Sequence, residues 1–249
     1  MQYNIVGGNL PAVIVSLNQG ESVKCESGAM SWMDPSIQME TNTDGGVGKL
    51  FGRMVTGESL MLNTYTASAP GEIAFASSFP GSIVAYTVTP DRPIMAQKGA
   101  FLASVGNINM TVGFNKKVGG GFFGGEGFLM QKFEGDGIVF FEIDGSTVEY
   151  DLQPGQVKIV DTGYLAVMDA SVTLDIEMVK GLKNMVFGGE GLFNTTLTGP
   201  GHIVLQTMPI PNTATVLYRY MPHPSRLSVW SMINGHTTPI FVENSHERP

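Results

Sequence analysis

One short glycine–glutamate motif occurs three times in the sequence, and this repetition constrains the fold more than any other feature. The motif recurs at intervals of 68 and then 64 residues, at Gly57-Glu58, Gly125-Glu126 and Gly189-Glu190. A second glycine marker lies 26 to 29 residues before each motif, at Gly28, Gly99 and Gly163. Two markers on one period indicate three copies of one structural unit.

The period divides the chain into units at about 1–80, 81–145 and 146–210. Each unit is near the lower size limit for an independent hydrophobic core. We therefore expect one repeat domain, 1–210, in which three β-sandwich units share a core around a pseudo-threefold axis. Residues 211–249 hold three of the four histidines and do not repeat the unit. We expect this segment to be an accessory or poorly ordered extension, in which 216–220 and 240–242 could add strands.

The local sequence patterns predict strands throughout, so the fold class is all-β. Segments 156–160 and 172–178 alternate polar and apolar residues, which places one face of a strand in a core. Segment 142–150 alternates on both sides of Asp144-Gly145, a pair that predicts a β-hairpin.

Composition and charge exclude several classes of function. Of the 249 residues, 43% are hydrophobic and 14% are charged, which is typical of an ordered chain. The formal net charge of −8 opposes nucleic-acid binding, because that affinity depends on Lys and Arg neutralising phosphates. The N-terminal residues lack the pattern of a secretory signal, and no apolar run reaches the length of a membrane span. We expect a cytoplasmic protein.

The repeated motifs resemble those of the altered inheritance of mitochondria protein twenty-four family. The resemblance is carried by VFGGEGL (186–192) with GPGHIVLQT (199–207), FGGEGF (123–128), GESLMLNT (57–64), QKGAFLA (97–103) and VDTG (160–163). It covers residues 1 to about 210 and leaves the C-terminal segment outside.

This resemblance implies β-sandwich repeats similar to the fold of the tryptophan RNA-binding attenuation protein. It implies no established enzymatic activity and no cofactor. Mitochondrial members are linked to inner-membrane organisation, and bacterial members look like cytoplasmic proteins of unknown role. This sequence has no transit-like start, so it looks bacterial. RNA binding does not follow from the fold, because the acidic balance of this chain opposes it.

Few residues in the repeats could carry chemistry. His202 is the only histidine among residues 1–210, so a site with two or three imidazoles on one metal is disfavoured. Glu58, Glu126 and Glu190 could converge on a hard cation, but we favour hydrogen bonds from each Glu to backbone N–H groups of its own turn. Cys25 lies in an alternating strand and is expected to be buried.

The glycine-rich run 119–127 lacks the Gly-Lys-Ser/Thr ending of a phosphate-binding loop. Its glycines favour close backbone packing. Alternatively, Gly121, Phe122, Phe123 and Gly124 form a contact loop for a partner, a second copy or a membrane surface. The sequence therefore favours a non-enzymatic scaffold or interaction protein. The alternative is a small-ligand binding module with its site between repeats.

Overall fold

The computed structural model describes residues 1–40, 62–116, 128–178, 193–218 and 220–221. Within these ranges the chain forms seventeen β-strands and one α-helix, so it is an all-β protein, as the sequence predicts. The strands are β1 Gln2–Val6, β2 Ala12–Leu17, β3 Ser22–Glu26, β4 Trp32–Met33, β5 Ile37–Glu40, β6 Leu62–Ala67, β7 Gly71–Ala76, β8 Gly81–Val88, β9 Ile94–Gln97, β10 Phe101–Lys116, β11 Phe128–Asp144, β12 Thr147–Leu152, β13 Val157–Asp161, β14 Leu165–Asp169, β15 Thr173–Met178, β16 Phe193–Thr198 and β17 Gly201–Gln206.

The strands form three antiparallel sheets. The first has the order β1-β2-β7-β4, and the third has the order β13-β16-β15. The second is ten-stranded, with the order β12-β17-β14-β9-β11-β10-β3-β6-β5, and β8 pairs with β11 beside this path. The 3-10 turn Thr162–Tyr164 connects β13 to β14, and the side chain of Asp161 accepts a hydrogen bond from the backbone N–H of Gly163 at its start.

Side chains alternate between the two faces of each strand, and those on the inner faces form the core. In β3, Val23 and Cys25 are buried while their neighbours are half-buried, which is the period of two expected for a strand with one face in the core. The buried residues form three hydrophobic clusters along the chain. The middle cluster contains Phe101, Phe133 and Phe141. The ring centroid of Phe133 lies 5.5 Å from that of Phe101 and 5.1 Å from that of Phe141.

Two predicted local structures are wrong. Asp144-Gly145 makes a turn, but it does not close a hairpin: β11 pairs with β8, β9 and β10, whereas β12 pairs with β17. The local pattern showed where the chain turns and could not show which strands pair. Residues 216–218 belong to helix α1, Ile210–Tyr218, and not to a strand.

By compactness the chain divides into two units, Met1–Asn212 and Thr213–Pro249. All seventeen strands belong to the first unit. Among the described residues, no helix has both the length and the apolar character needed to cross a bilayer.

The long strands β10 and β11 depend on glycines at the middle of their shared ladder. Gly106 pairs with Gly137, and Gly106 and Gly135 have φ of 95° and 121°. A Cβ on Gly106 would lie 2.6 Å from the carbonyl oxygen of Asp136, and one on Gly135 would overlap the carbonyl oxygen of Asn107. The backbones approach so closely that only glycine fits.

We expect Gly135→Ala to lower the free energy of unfolding by about 2–4 kcal/mol, because it adds a steric overlap to an unfavourable φ. Gly155→Ala is the matched control, since Gly155 also has a positive φ, of 75°, but a Cβ there meets nothing within 4 Å. The control should lose about 1 kcal/mol. Denaturant unfolding of both variants checks this, and equal losses would contradict the close approach.

Candidate functional site

The Gly-Glu motifs and the contact loop, which the sequence indicates as repeat-motif and interaction residues, all lie outside the described residues. The three Gly-Glu motifs and the proposed contact loop fall within 41–61, 117–127 and 179–192, and the residues concerned are Gly57, Glu58, Gly121, Phe122, Phe123, Gly124, Gly125, Glu126, Gly189 and Glu190. The second glycine marker is described. Gly28 and Gly99 follow their strands with φ of 89° and 92°, and Gly163 lies in the 3-10 turn.

The main polar cluster of the described surface surrounds His202. His202 lies directly opposite Asp151 in the β12–β17 ladder, and Glu149 follows on the same face of β12 because side chains alternate. Its Nδ1 atom lies 2.6 Å from Oδ1 of Asp151, and its Nε2 atom lies 3.0 Å from Oε2 of Glu149. Both ring nitrogens are thus directed at carboxylates, and an imidazolium donates to both.

Asp169, at the end of β14, joins this cluster to the turn after β8. Its Oδ2 accepts a hydrogen bond from the backbone N–H of His202 at 2.9 Å. The guanidinium of Arg92 donates to both carboxylate oxygens, over 3.1 Å from Nε and 3.3 Å from Nη2. Burial, followed by the negative charges of Glu149 and Asp169, raises the pKa of Tyr86, so its phenol stays protonated. His202 and Asp169 are thus both held by neighbouring polar groups.

Sequence reasoning treated His202 only as an isolated histidine that argues against a metal site, and it did not predict its carboxylate partners. The available signal was the alternation of β12, TVEYDL, which places Glu149 and Asp151 on one face. It could not indicate that β12 pairs with β17, more than fifty residues away. Among the described residues, no group of three or more His, Cys, Asp or Glu side chains is arranged to hold a metal ion.

Cys25 is fully buried in β3, as its strand pattern predicts. Burial, with a smaller contribution from the charge of Glu26, raises the pKa of its thiol to about 11. The thiolate is the nucleophilic form of cysteine, so this side chain is a poor nucleophile near neutral pH.

An open groove of about 590 Å³ lies beside the turn that follows β2. Its volume is within the range of small-molecule sites. It is lined by Met1, Gln2, Ser16, Leu17, Asn18, Pro70, Gly71 and Glu72.

Two short strands form sheet edges with exposed apolar side chains. In the described part of the chain, β4 pairs with β7 and β13 pairs with β16, and each has no strand on its other side. Trp32 and Met33 of β4 are exposed, as are Val157 and Ile159 of β13. An exposed apolar edge is a template for further strand pairing.

Comparison with known proteins identifies a family and bacterial relatives. A family model described as "Mitochondrial biogenesis AIM24" matches residues 3–208. An uncharacterised protein of Streptococcus pyogenes serotype M6 is 30% identical over 223 residues, which are 86% of this chain and 88% of the relative. A crystal structure of a Streptococcus pyogenes protein superposes with a TM-score of 0.74 at 26% identity, over 88% of this chain and 99% of that one.

We expect Asp169 and Asp151, which both contact His202, to differ in their effect on stability. The side chain of Asp169 is 14% exposed and that of Asp151 is 82% exposed. Asp169→Asn removes the carboxylate that accepts both Arg92 donors, and should cost about 1–3 kcal/mol of unfolding free energy. Asp151→Asn, the matched control, should cost less than about 1 kcal/mol. Thermal and denaturant unfolding measure both, and an Asp151 effect as large as that of Asp169 would contradict this assignment.

Proposed function

The chain belongs to the Mitochondrial biogenesis AIM24 family, and from that premise we propose that it is a non-enzymatic cytoplasmic scaffold built from three repeats around a pseudo-threefold axis. The relatives identified above carry no named activity. The proposal therefore depends on the strand pairing and on the state of the polar side chains.

A strand-pairing scheme that recurs three times carries this proposal. In 1–80, β2 and β4 flank β7, while β3 and β5 flank β6. In 146–210, β12 and β14 flank β17, while β13 and β15 flank β16. In 81–145 each of the long strands β10 and β11 takes the place of two shorter strands. The second part of β11 is flanked by β8 and the first part of β10. The first part of β11 is flanked by β9 and the second part of β10.

Each repeat would then be a small sandwich of two three-stranded sheets. Neighbouring repeats share ladders, because β10 pairs with β3 and β14 pairs with β9. Sandwiches joined in this way make a rigid body whose loops and edges are available to partners. This is the property that a scaffold requires.

The state of the reactive side chains favours a role without catalysis. The thiol of Cys25 is buried with a raised pKa. Both ring nitrogens of His202 contact carboxylates within its own sheet. A nucleophile or general base must reach a substrate atom, and neither side chain is free to do so.

We expect Phe122→Ser with Phe123→Ser to reduce association with a partner protein, a second copy or a membrane surface, and to leave the fold intact. The reason is that the sequence predicts Phe122 and Phe123 to be two adjacent exposed aromatic side chains in a glycine-rich loop. Circular dichroism reports the fold; pull-down, light scattering and vesicle sedimentation report association.

The control is Leu10→Ser with Val112→Ser, which removes two exposed apolar side chains elsewhere on the protein. It should leave association unchanged. If the Phe122 and Phe123 variant associates like the unmodified protein in all three assays, this loop is not the contact.

A small-ligand binding module is the second candidate. The groove beside Gly71 favours it, but the residues lining that groove all fall in 1–80, whereas the sequence predicts a site between repeats. Gln2, Ser16, Asn18 and Glu72 provide polar groups at its wall. Native mass spectrometry of the full-length protein separates the two functions. Extra mass that disappears on denaturation would support the binding module, and a mass equal to the chain or its multiples would support the scaffold.

A further inference from the structure

The two junctions between repeats use one pairing. In a closed pseudo-threefold arrangement β4 and β13 would form the third junction within one chain, but in the described structure they do not pair with each other and both are exposed edges. We propose that β4 of one copy of this protein pairs antiparallel with β13 of a second copy. This inference rests on the proposed scaffold function, because it names self-association as the contact that the scaffold makes.

The observed junctions have matching registers. At the first, Ala103 pairs with Cys25 and Val105 with Val23. At the second, Val167 pairs with Ala96 and Asp169 with Ile94. The two residues that begin these registers, Ala103 and Val167, each lie four positions after a marker glycine, Gly99 and Gly163. Their partners Cys25 and Ala96 each lie three positions before a marker glycine, Gly28 and Gly99 respectively.

The same count fixes the register of the missing junction. Trp32 lies four positions after Gly28, and Val160 lies three before Gly163. The neighbouring strands agree: Trp32 pairs with Ala74, Ala103 with Phe140 and Val167 with Val204. The partners Ala74, Phe140 and Val204 each lie three positions after a glycine, namely Gly71, Gly137 and Gly201. Each of these glycines pairs with the last residue of a neighbouring strand, which is β2, β8 or β12. Trp32 therefore pairs with Val160, Met33 with Ile159 and Asp34 with Lys158.

Burial distinguishes the formed junctions from the unformed one. Ala103 and Val167 are 0% and 1% exposed, but Trp32 at the corresponding position is 51% exposed. Ser104 and Met168 are 4% and 2% exposed, but Met33 is 37% exposed. On the other strand Met95 is 9% exposed, whereas Ile159 is 64% exposed. These apolar side chains occupy positions that an adjoining strand covers elsewhere in the protein.

The charges at the two edges are complementary in this register. Asp34 is exposed, and its Oδ2 accepts one hydrogen bond, from the backbone N–H of Glu72. Lys158 is half-buried, with Nζ 3.7 Å from the centroid of the Tyr150 ring. A second copy would place these opposite charges on directly opposed residues, which stabilises a cross-strand pair.

The contact is heterologous, because each copy offers a different strand at each edge. Such contacts form rings when their rotation closes and open filaments when it does not. A larger assembly of identical chains is therefore expected, and its size grows with protein concentration if the ring stays open.

Disulfide trapping tests the register. Full-length Met33→Cys is mixed with full-length Ile159→Cys and oxidised under mild conditions. Opposed residues of an antiparallel pair lie within the Cα separation that a disulfide spans. We expect a covalent dimer that needs both variants. Cys25 stays in place because it is buried. Met33→Cys mixed with Val148→Cys, a substitution on exposed β12, is the control and should not crosslink.

The double variant Met33→Cys with Ile159→Cys in one chain tests the competing arrangement, in which the two edges meet within a single molecule. Covalent dimers and higher multimers from this chain support the proposal. Exclusive closure within the monomer overturns it, and so does the absence of any specific crosslink. In both of these cases the Phe122 and Phe123 assays still decide the scaffold function independently.

Charge reversal gives a measurement that does not depend on oxidation. Asp34→Lys should weaken self-association about tenfold in sedimentation, and Lys158→Asp should do the same. The two variants mixed as separate chains should restore association between unlike chains, because opposite charges then face each other at both contacts. Asp91→Lys, in the turn before β9, is the matched control. Equal effects of Asp34→Lys and Asp91→Lys would overturn the register.

Discussion

The close approach of backbones at Gly106, Gly135 and Gly137 is the constraint on which the ten-stranded sheet depends. There β10 and β11 continue as single chains through a point where a Cβ would collide with a carbonyl oxygen of the opposite strand. One part of β11 then pairs with β8 and its other part with β9, while the first part of β10 pairs with β3. Neighbouring ladders meet in these two strands, so the strands connect hydrophobic clusters of the protein. The glycines allow this because they let β10 and β11 continue through the close approach.

The polar side chains serve the same sheets. His202 connects two carboxylates of β12, and Asp169 holds both Arg92 and the backbone of β17. These groups link strands that are distant in sequence, so much of the titratable chemistry of the described surface stabilises pairing. An arrangement of this kind suits a body that must keep its shape while its edges and loops contact other molecules.

How far the sequence determined these conclusions differs between levels. Alternation in segments such as 172–178 predicted an all-β chain, and the burial of Cys25 followed from β3 alone, because a period of two is a local property. Pairing is not local. Asp144-Gly145 looked like a hairpin and instead joins strands with different partners. The carboxylates beside His202 were missed for the same reason. The functional residues chosen from the Gly-Glu motifs stay predictions, because they lie outside the described residues.

The position of Cys25 has a further consequence. This single thiol lies opposite Ala103, at the ladder that joins β3 to β10. Because β3 also pairs with β6, a reagent reaches this thiol only after the structure around β3 opens, and the rate of thiol labelling in native conditions reports local unfolding there. The natural cysteine therefore reports local opening within the first eighty residues, and no further cysteine has to be introduced.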